Sequence, residues 1–292
     1  MNQTVAPIHI LRVVCCWLLV LVTLFTSSGC WLTSVFKSPW SRAPEHVLQP
    51  GASKADVVAH LNKNISPLMS WKSSNVHILA PGPGGIPMRL TASMAVESPK
   101  KFRLMAHSLA GNEVDFGSNS DRFWFWINRN KPRHVFTVAH EELSRAQQRI
   151  LIPFQPDWLM ESLGVIPIDV NNVTIQEDPS QAGIIVLDSK QVTPEGDTVH
   201  RLIQVDSRQG RIIAHSLYSA GGQLIAQATL NAYKIEEASG IALPHKIDLS
   251  LPQTGLQMTI TLGQIDVNPE YIPEKIWQLP EIPNSPVFDL AR

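Results

Sequence analysis

Four groupings in this 292-residue chain bring together side chains that could do chemistry. His134 and His140, followed directly by Glu141 and Glu142, offer imidazole and carboxylate donors of the kind that hold zinc. Their spacing fits no zinc-protease motif and no cysteine lies near, so a solvated strand end is expected and no metal is assigned. Gly117-Ser118-Asn119-Ser120-Asp121 places a serine after a glycine but lacks the second glycine of a nucleophile elbow. Pro81-Gly82-Pro83-Gly84-Gly85 has no following Lys-Ser/Thr and reads as a loop rather than a phosphate cradle. Asp115 and Asp121 flank an expected turn, where carboxylates make local backbone bonds. The histidines at 46, 60, 77, 107, 200, 215 and 245 are scattered singly. No catalytic residue emerges, and the chain is read as a non-enzyme without a cofactor.

Composition narrows the partners. The 24 Lys and Arg against 25 Asp and Glu leave a formal charge of −1, and no basic run occurs. Phosphate binding depends on clustered cations, so nucleic acid is not expected as a partner. With 44% hydrophobic and 17% charged residues the chain is too apolar for intrinsic disorder.

The cysteines carry the clearest signal. Arg12 precedes Val13 to Phe25, 13 residues without a charge, and then come Thr26, Ser27, Ser28, Gly29 and Cys30. A short apolar run behind a cation and before small residues reads as a secretion signal, too short to span a bilayer. The ending Ser27-Ser28-Gly29-Cys30 resembles a bacterial lipobox, with Ser27 where leucine is usual. Cleavage there removes residues 1–29 with Cys15 and Cys16, leaving Cys30 as the one remaining cysteine. Acylation would consume a thiol that is otherwise awkward in an oxidising compartment. Two or more acyl chains, palmitate-like in length, hold a membrane stably where one does not. Trp31 stands where an inner-membrane retention signal has Asp, so the resemblance implies an outer-membrane, periplasm-facing location.

Elements follow from pattern. Residues 30–52, with Pro39, Pro44 and Pro50, read as a tether. Ser53 to Asp56 is a capping signal, and Val57, Val58, Leu61 and Ile65 repeat at helical spacing until Pro67. Met88 to Val96, Phe102 to Ala106 and Leu256 to Leu262 alternate apolar and polar, the pattern of antiparallel strands with one dry face. Turn residues at 98–100, 111–112, 128–132, 207–210, 221–222 and 252–255 separate some ten to twelve strands in meander order. Glu141 to Ile150 and Asp157 to Leu163 read as two short helices within residues 53–268. Residues 269–292 form a Pro-rich tail over the surface. In Phe123-Trp124-Phe125-Trp126 large rings fall on both faces. Trp124 and Trp126 are therefore covered by the tether, tail or first helix, or else form a contact patch.

This order of elements resembles the LolA/LolB-like outer-membrane lipoprotein-sorting family over about residues 53–280. Val114 to Trp126 is similar to its polar turn before an aromatic strand. Val199 to Asp206 with Arg211 to Leu217 resembles its hairpin ending in Asp, and Ser239 to Ile247 its Gly-x-x-Leu-Pro approach to a late strand. The resemblance implies a mainly β, α+β fold: an incomplete antiparallel barrel with an α-helical lid over its concave face. It implies lipid acyl chains or lipoproteins as ligands, and a periplasmic carrier as a partner for a receptor anchored through Cys30. The physics agrees, since a sheet of this width curls and presents one side-chain parity inward. The expected lining is Leu90, Ala92, Met94, Leu104, Ala106, Phe123, Phe125, Met258 and Ile260, with Trp158, Leu159 and Leu163 from the lid. For each the competing expectation is a filled core. A sensor or scaffold domain on the same fold is the alternative function.

Overall fold

The computed structural model describes residues 46–146, 156–177, 182–192 and 198–292. The signal segment, Cys30 and residues 31–45 of the expected tether lie outside the described residues. The unit described runs from His46 to Arg292. It therefore begins earlier than Ser53: Val47 and Leu48 donate their N–H groups to Arg208 and Ser207 carbonyls, and Leu48 is buried.

Helix α1 spans Lys54–Ile65. Ser53 caps it, its Oγ accepting from the Asp56 N–H at 3.2 Å and donating to Asp56 Oδ2 at 2.6 Å. Ser66 still has helical backbone and donates its N–H to the Asn62 carbonyl at 2.8 Å, and Pro67, which has no N–H, ends the ladder. Val57, Val58, Leu61 and Ile65 form its buried stripe.

Among the described residues fifteen strands form one sheet: β1 (Ser70–Pro81), β2 (Pro87–Glu97), β3 (Lys101–Ser108), β4 (Gly111–Ser118), β5 (Arg122–Ile127), β6 (Val135–Ala139), β7 (Thr174–Glu177), β8 (Ile184–Val192), β9 (Thr198–Asp206), β10 (Arg211–Ser219), β11 (Leu224–Ile235), β12 (Ala242–Leu251), β13 (Leu256–Leu262), β14 (Asp266–Val267) and β15 (Val287–Asp289). The number exceeds the ten to twelve expected. The surplus includes β14 and β15, which are too short to show an alternation, whereas β7 falls within the strand expected at Val173 to Glu177. Two meanders, β1 to β6 and β7 to β13, are joined where β1 pairs antiparallel with β13. Strand β15 adds to β6 in parallel, and β14 pairs with the start of β1. The sheet is open, with β15 and β7 at its edges.

Only part of the helix expected over Glu141 to Ile150 falls within the described residues. A 3-10 turn at His140–Glu142 leads into α2, Leu143–Ala146. Helix α3, Pro156–Ser162, matches the second expected helix to within a residue and buries Trp158, Leu159 and Met160.

One cluster contains α1, α3 and the same-parity residues of both meanders, from Phe123 to Ile203. Laid flat, the fourteen strands in line from β15 to β7 would be about 62 Å wide, while α1 is about 18 Å long. A single cluster therefore requires the sheet to curl around its helices, as sheets beyond about ten strands do.

The tail settles the aromatic strand. Trp124 and Trp126 are buried on the outer face, packed with Val135, Leu279 and Ile282. Trp126 Nε1 donates to Ser285 Oγ at 3.0 Å. The outer face there offers no exposed tryptophan patch. Arg103 is the clasp: its guanidinium donates to Asp115 at 3.1 and 2.6 Å and to the Ile276 and Gln278 carbonyls at 2.8 and 3.0 Å. Asp115 thus sits mid-strand in a buried ion pair and also accepts from Trp124 Nε1, a correction to the turn role expected for it. Gly117 lets the Trp124 indole lie on bare backbone.

Candidate functional site

The register fixes which residues share the inner face, because directly paired residues project to the same side. Ile78 pairs with Leu90 and with Ile260, Ala92 with Ala106, Met94 with Leu104, and Leu249 with Met258. Phe125 lies between Phe116 and Phe136, whose rings are 5.0 Å from Phe123 and Phe125 respectively. All twelve residues expected to line a cavity project into one cluster. Leu90, Ala92, Met94, Leu104, Ala106, Phe123, Phe125, Ile260, Trp158, Leu159 and Leu163 are buried in it, and Met258 sits half-buried at its margin.

A hollow of about 320 Å³ lies elsewhere on the same face, between α1 and the starts of β10 and β12. None of the twelve lines it, although Ser162 and Gly164, the neighbours of Leu163, do. Its apolar wall is Leu61 and Ile65 from α1 with Ile212, Leu230, Ile241 and Leu243 from the sheet side. Two other depressions, about 510 and 400 Å³, mix inner and outer positions: Leu90 joins His77, Thr91 and Thr261 in the first, and Met258 joins Thr229, Asp248 and Thr259 in the second.

Backbone irregularities build the hollow. Between Ile212 and Ala214 the pairing of β10 with β9 slips by one residue. The bulge brings Ile212 and His215, three apart, to the same face. In β11, Ala232 takes a left-handed φ of 54°, and Leu230 and Tyr233 both reach the hollow despite their odd spacing. Gly210, with φ of 63°, leaves no room for a Cβ against His60, whose Nε2 bonds the Gly210 carbonyl at 3.1 Å. Asn64 ties the same helix to β12 through both the N–H and the carbonyl of Ala242, at 2.8 and 3.0 Å. Trp71 Nε1 donates to the Leu163 carbonyl at 3.2 Å and fixes the segment after α3.

Four polar side chains stand on or against this dry face. Arg201 Nη1 meets Glu161 Oε1 at 2.6 Å and binds α3 to β9. Burial lifts the Glu161 carboxyl above its usual range, against the pull of Arg201 and with a push from Asp157. Burial, assisted by the Arg201 charge, brings His215 down to about 4, so it is neutral at pH 7. Tyr233 donates its hydroxyl to the Ile212 carbonyl at 2.7 Å, and burial raises its phenol. Sequence reading did not assign His60, Ile212, His215, Leu230 or Tyr233 to a site; for His215 and Tyr233 the bulge in β10 and the left-handed Ala232 in β11 break the alternation that would have placed them.

The histidines at 134 and 140 have local roles. His140 Nε2 lies 2.8 Å from the Asn119 carbonyl and 3.2 Å from Ser118 Oγ, while His134 packs on Phe136 and Phe288. Among the described residues no three His, Cys, Asp or Glu side chains gather as a metal site.

Fold and site together define a class: an open, curled antiparallel sheet whose apolar inner face packs on helices and retains a hollow. Comparison with solved structures gives that class its relatives. A domain from Vibrio parahaemolyticus, named for outer-membrane lipoprotein sorting, aligns with a TM-score of 0.51 at 10% identity, over 77% of this chain and 97% of its own. A DUF1329 family protein from Desulfovibrio piger aligns at 0.50 and 10% identity, over 77% of this chain and 95% of its own. A LolA superfamily protein from Nitrosomonas europaea aligns at 0.48 and 10% identity, over 77% and 97%. The chain has the fold of the first two. No family model and no curated protein matches the sequence.

Proposed function

We propose that this chain is a lipid-anchored envelope protein that holds acyl chains, free or borne on a lipoprotein, against its inner face. One observation carries the reading: the hollow of about 320 Å³ with an apolar wall of Leu61, Ile65, Ile212, Leu230 and Leu243. That volume lies at the lower end of ligand pockets, about 300–1,000 Å³. Each methylene withdrawn from water contributes about 0.8 kcal/mol, so a tail needs little polar recognition. In this reading α1 and α3 act as the lid. Displacing α3 opens the neighbouring face around Leu90, Met94, Phe123 and Ile260 to longer tails. Acylated Cys30 holds the domain at the outer membrane, and a periplasmic carrier delivers its load. The likeness in fold to a domain named for lipoprotein sorting supports this assignment.

The burial of eleven of the twelve expected lining residues favours a second reading, a scaffold or sensor domain that carries no lipid. Native mass spectrometry of the full chain extracted from membranes separates the two. The carrier reading expects a co-purifying acyl species and saturable rebinding of dodecanoate after delipidation. Absence of both leaves the scaffold. The same spectra report the mass of the amino terminus, and an unmodified Cys30 removes the anchor.

A further inference from the structure

The charged side chains around the hollow are of one sign. Its lining contains Lys63 and Arg211, the imidazoles of His60 and His215, and no carboxylate. The Arg211 guanidinium stacks over the Tyr233 ring at 5.2 Å, and neither it nor Lys63 pairs with a described carboxylate. Tyr233 and His60 spend their polar atoms on the Ile212 and Gly210 carbonyls and so serve the wall.

His215 differs from both. It is 4% exposed, lines the hollow, and makes no hydrogen bond with any described residue. Its ring nitrogens keep access to the space of the hollow, where an occupant or solvent can meet them. A neutral imidazole provides one N–H donor and one acceptor nitrogen. The bulge in β10 presents this ring inward, four residues from Arg211 on the same strand. An apolar wall, two unpaired cations and a waiting donor together match a hydrocarbon that ends in negatively charged oxygens.

We infer that the hollow takes the head of an anionic single-chain amphiphile, a carboxylate or phosphate ester, with Arg211 and Lys63 as counter-charges and His215 donating to a head oxygen. The inference rests on the acyl-chain reading and adds to it a head-group preference and the residues that enforce it.

Isothermal titration of the delipidated full chain with dodecanoate, dodecyl phosphate and dodecanol tests it. Hydrogen bonds to charged groups are worth enough to favour the anions over the alcohol by about tenfold or more. That preference should fall to near unity in Arg211→Gln combined with Lys63→Gln, two substitutions at the rim. It should also fall in His215→Gln, the readout in both variants being the ratio of anion to dodecanol affinity rather than either affinity alone. Whichever anion binds tighter identifies the source, dodecanoate a free fatty acid and dodecyl phosphate a phospholipid-like head. Equal binding of dodecanoate and dodecanol overturns the head-group inference alone and leaves His215 bonded to water. A preference that survives both variants overturns the assignment to this hollow. Failure of all three probes to bind overturns the acyl-chain reading itself.

Discussion

Acidification offers a test of the inner face through a single side chain. His215 lies between Ile203 of β9 and Ala228 of β11, with Arg201 nearby on β9. In the unfolded chain its imidazole titrates near 6.5, and in the fold near 4. Between those values the unfolded chain binds a proton that the folded chain refuses. The stability that neutral His215 confers is therefore complete above pH 6.5 and drains as the pH falls towards 4. At about 1.4 kcal/mol for each tenfold change in proton affinity, the gap corresponds to about 3 kcal/mol. Glu161 on α3 acts in the opposite sense. Its carboxyl is raised by burial, so its protonation favours the fold as the solution becomes acid and masks part of the loss. The variant His215→Gln isolates the term. Urea unfolding followed by tryptophan fluorescence, at pH 7, 6, 5 and 4, gives the free-energy difference between wild type and variant at each point. That difference should move against the wild type by about 3 kcal/mol across the series, mostly below pH 6.5. Parallel curves would refute the placement of a neutral imidazole on the dry face.

Three other perturbations address separate parts of the molecule. Arg103→Met strands Asp115 as a buried, uncompensated charge and frees the Ile276 and Gln278 carbonyls, and the expected cost is about 3–5 kcal/mol. Limited proteolysis should then cut within residues 269–292 first; a loss below about 1 kcal/mol with an intact tail would count against the clasp. Gly117→Ala drives a Cβ into the Trp124 indole, 2.6 Å from its Cε2, and should cost about 1–3 kcal/mol with altered near-ultraviolet dichroism. Leu230→Trp fills the hollow from the sheet side, and dodecanoate affinity should drop about tenfold or more while the urea midpoint stays within the range of a tolerated core swap. Undiminished affinity would place the tail elsewhere.

Local rules carried the sequence reading far. Ser53 and Pro67 bracket α1, and the alternations from Met88, Phe102 and Leu256 became β2, β3 and β13. Those signals are legible because a cap or a dry face acts within a few residues. Short pieces were not. Strands β14 and β15 exist only because a neighbour accepts their backbone, which no local pattern records. The face of Trp124 was ambiguous for the same reason: what covers it is more than 150 residues away, at Leu279 and Ile282. The hollow was least legible of all. The bulge that directs His215 inward and the left-handed Ala232 beside Tyr233 each break the period that the reading relied on. Most of the twelve expected residues consequently located the packed sector of the inner face, and the hollow fell where alternation fails.

The pairing of β1 with β13 also orders events during folding. Every other neighbour within the two meanders is reached through a short turn, whereas Val76 must find Leu262. Distant partners close a long loop before any contact rewards them, so such pairings form slowly and late. A nascent chain can therefore build each meander alone, but it has no complete inner face until its penultimate segment arrives. The inner face is completed in one late zippering step, and the first helix and first meander are in place before it to receive the second meander.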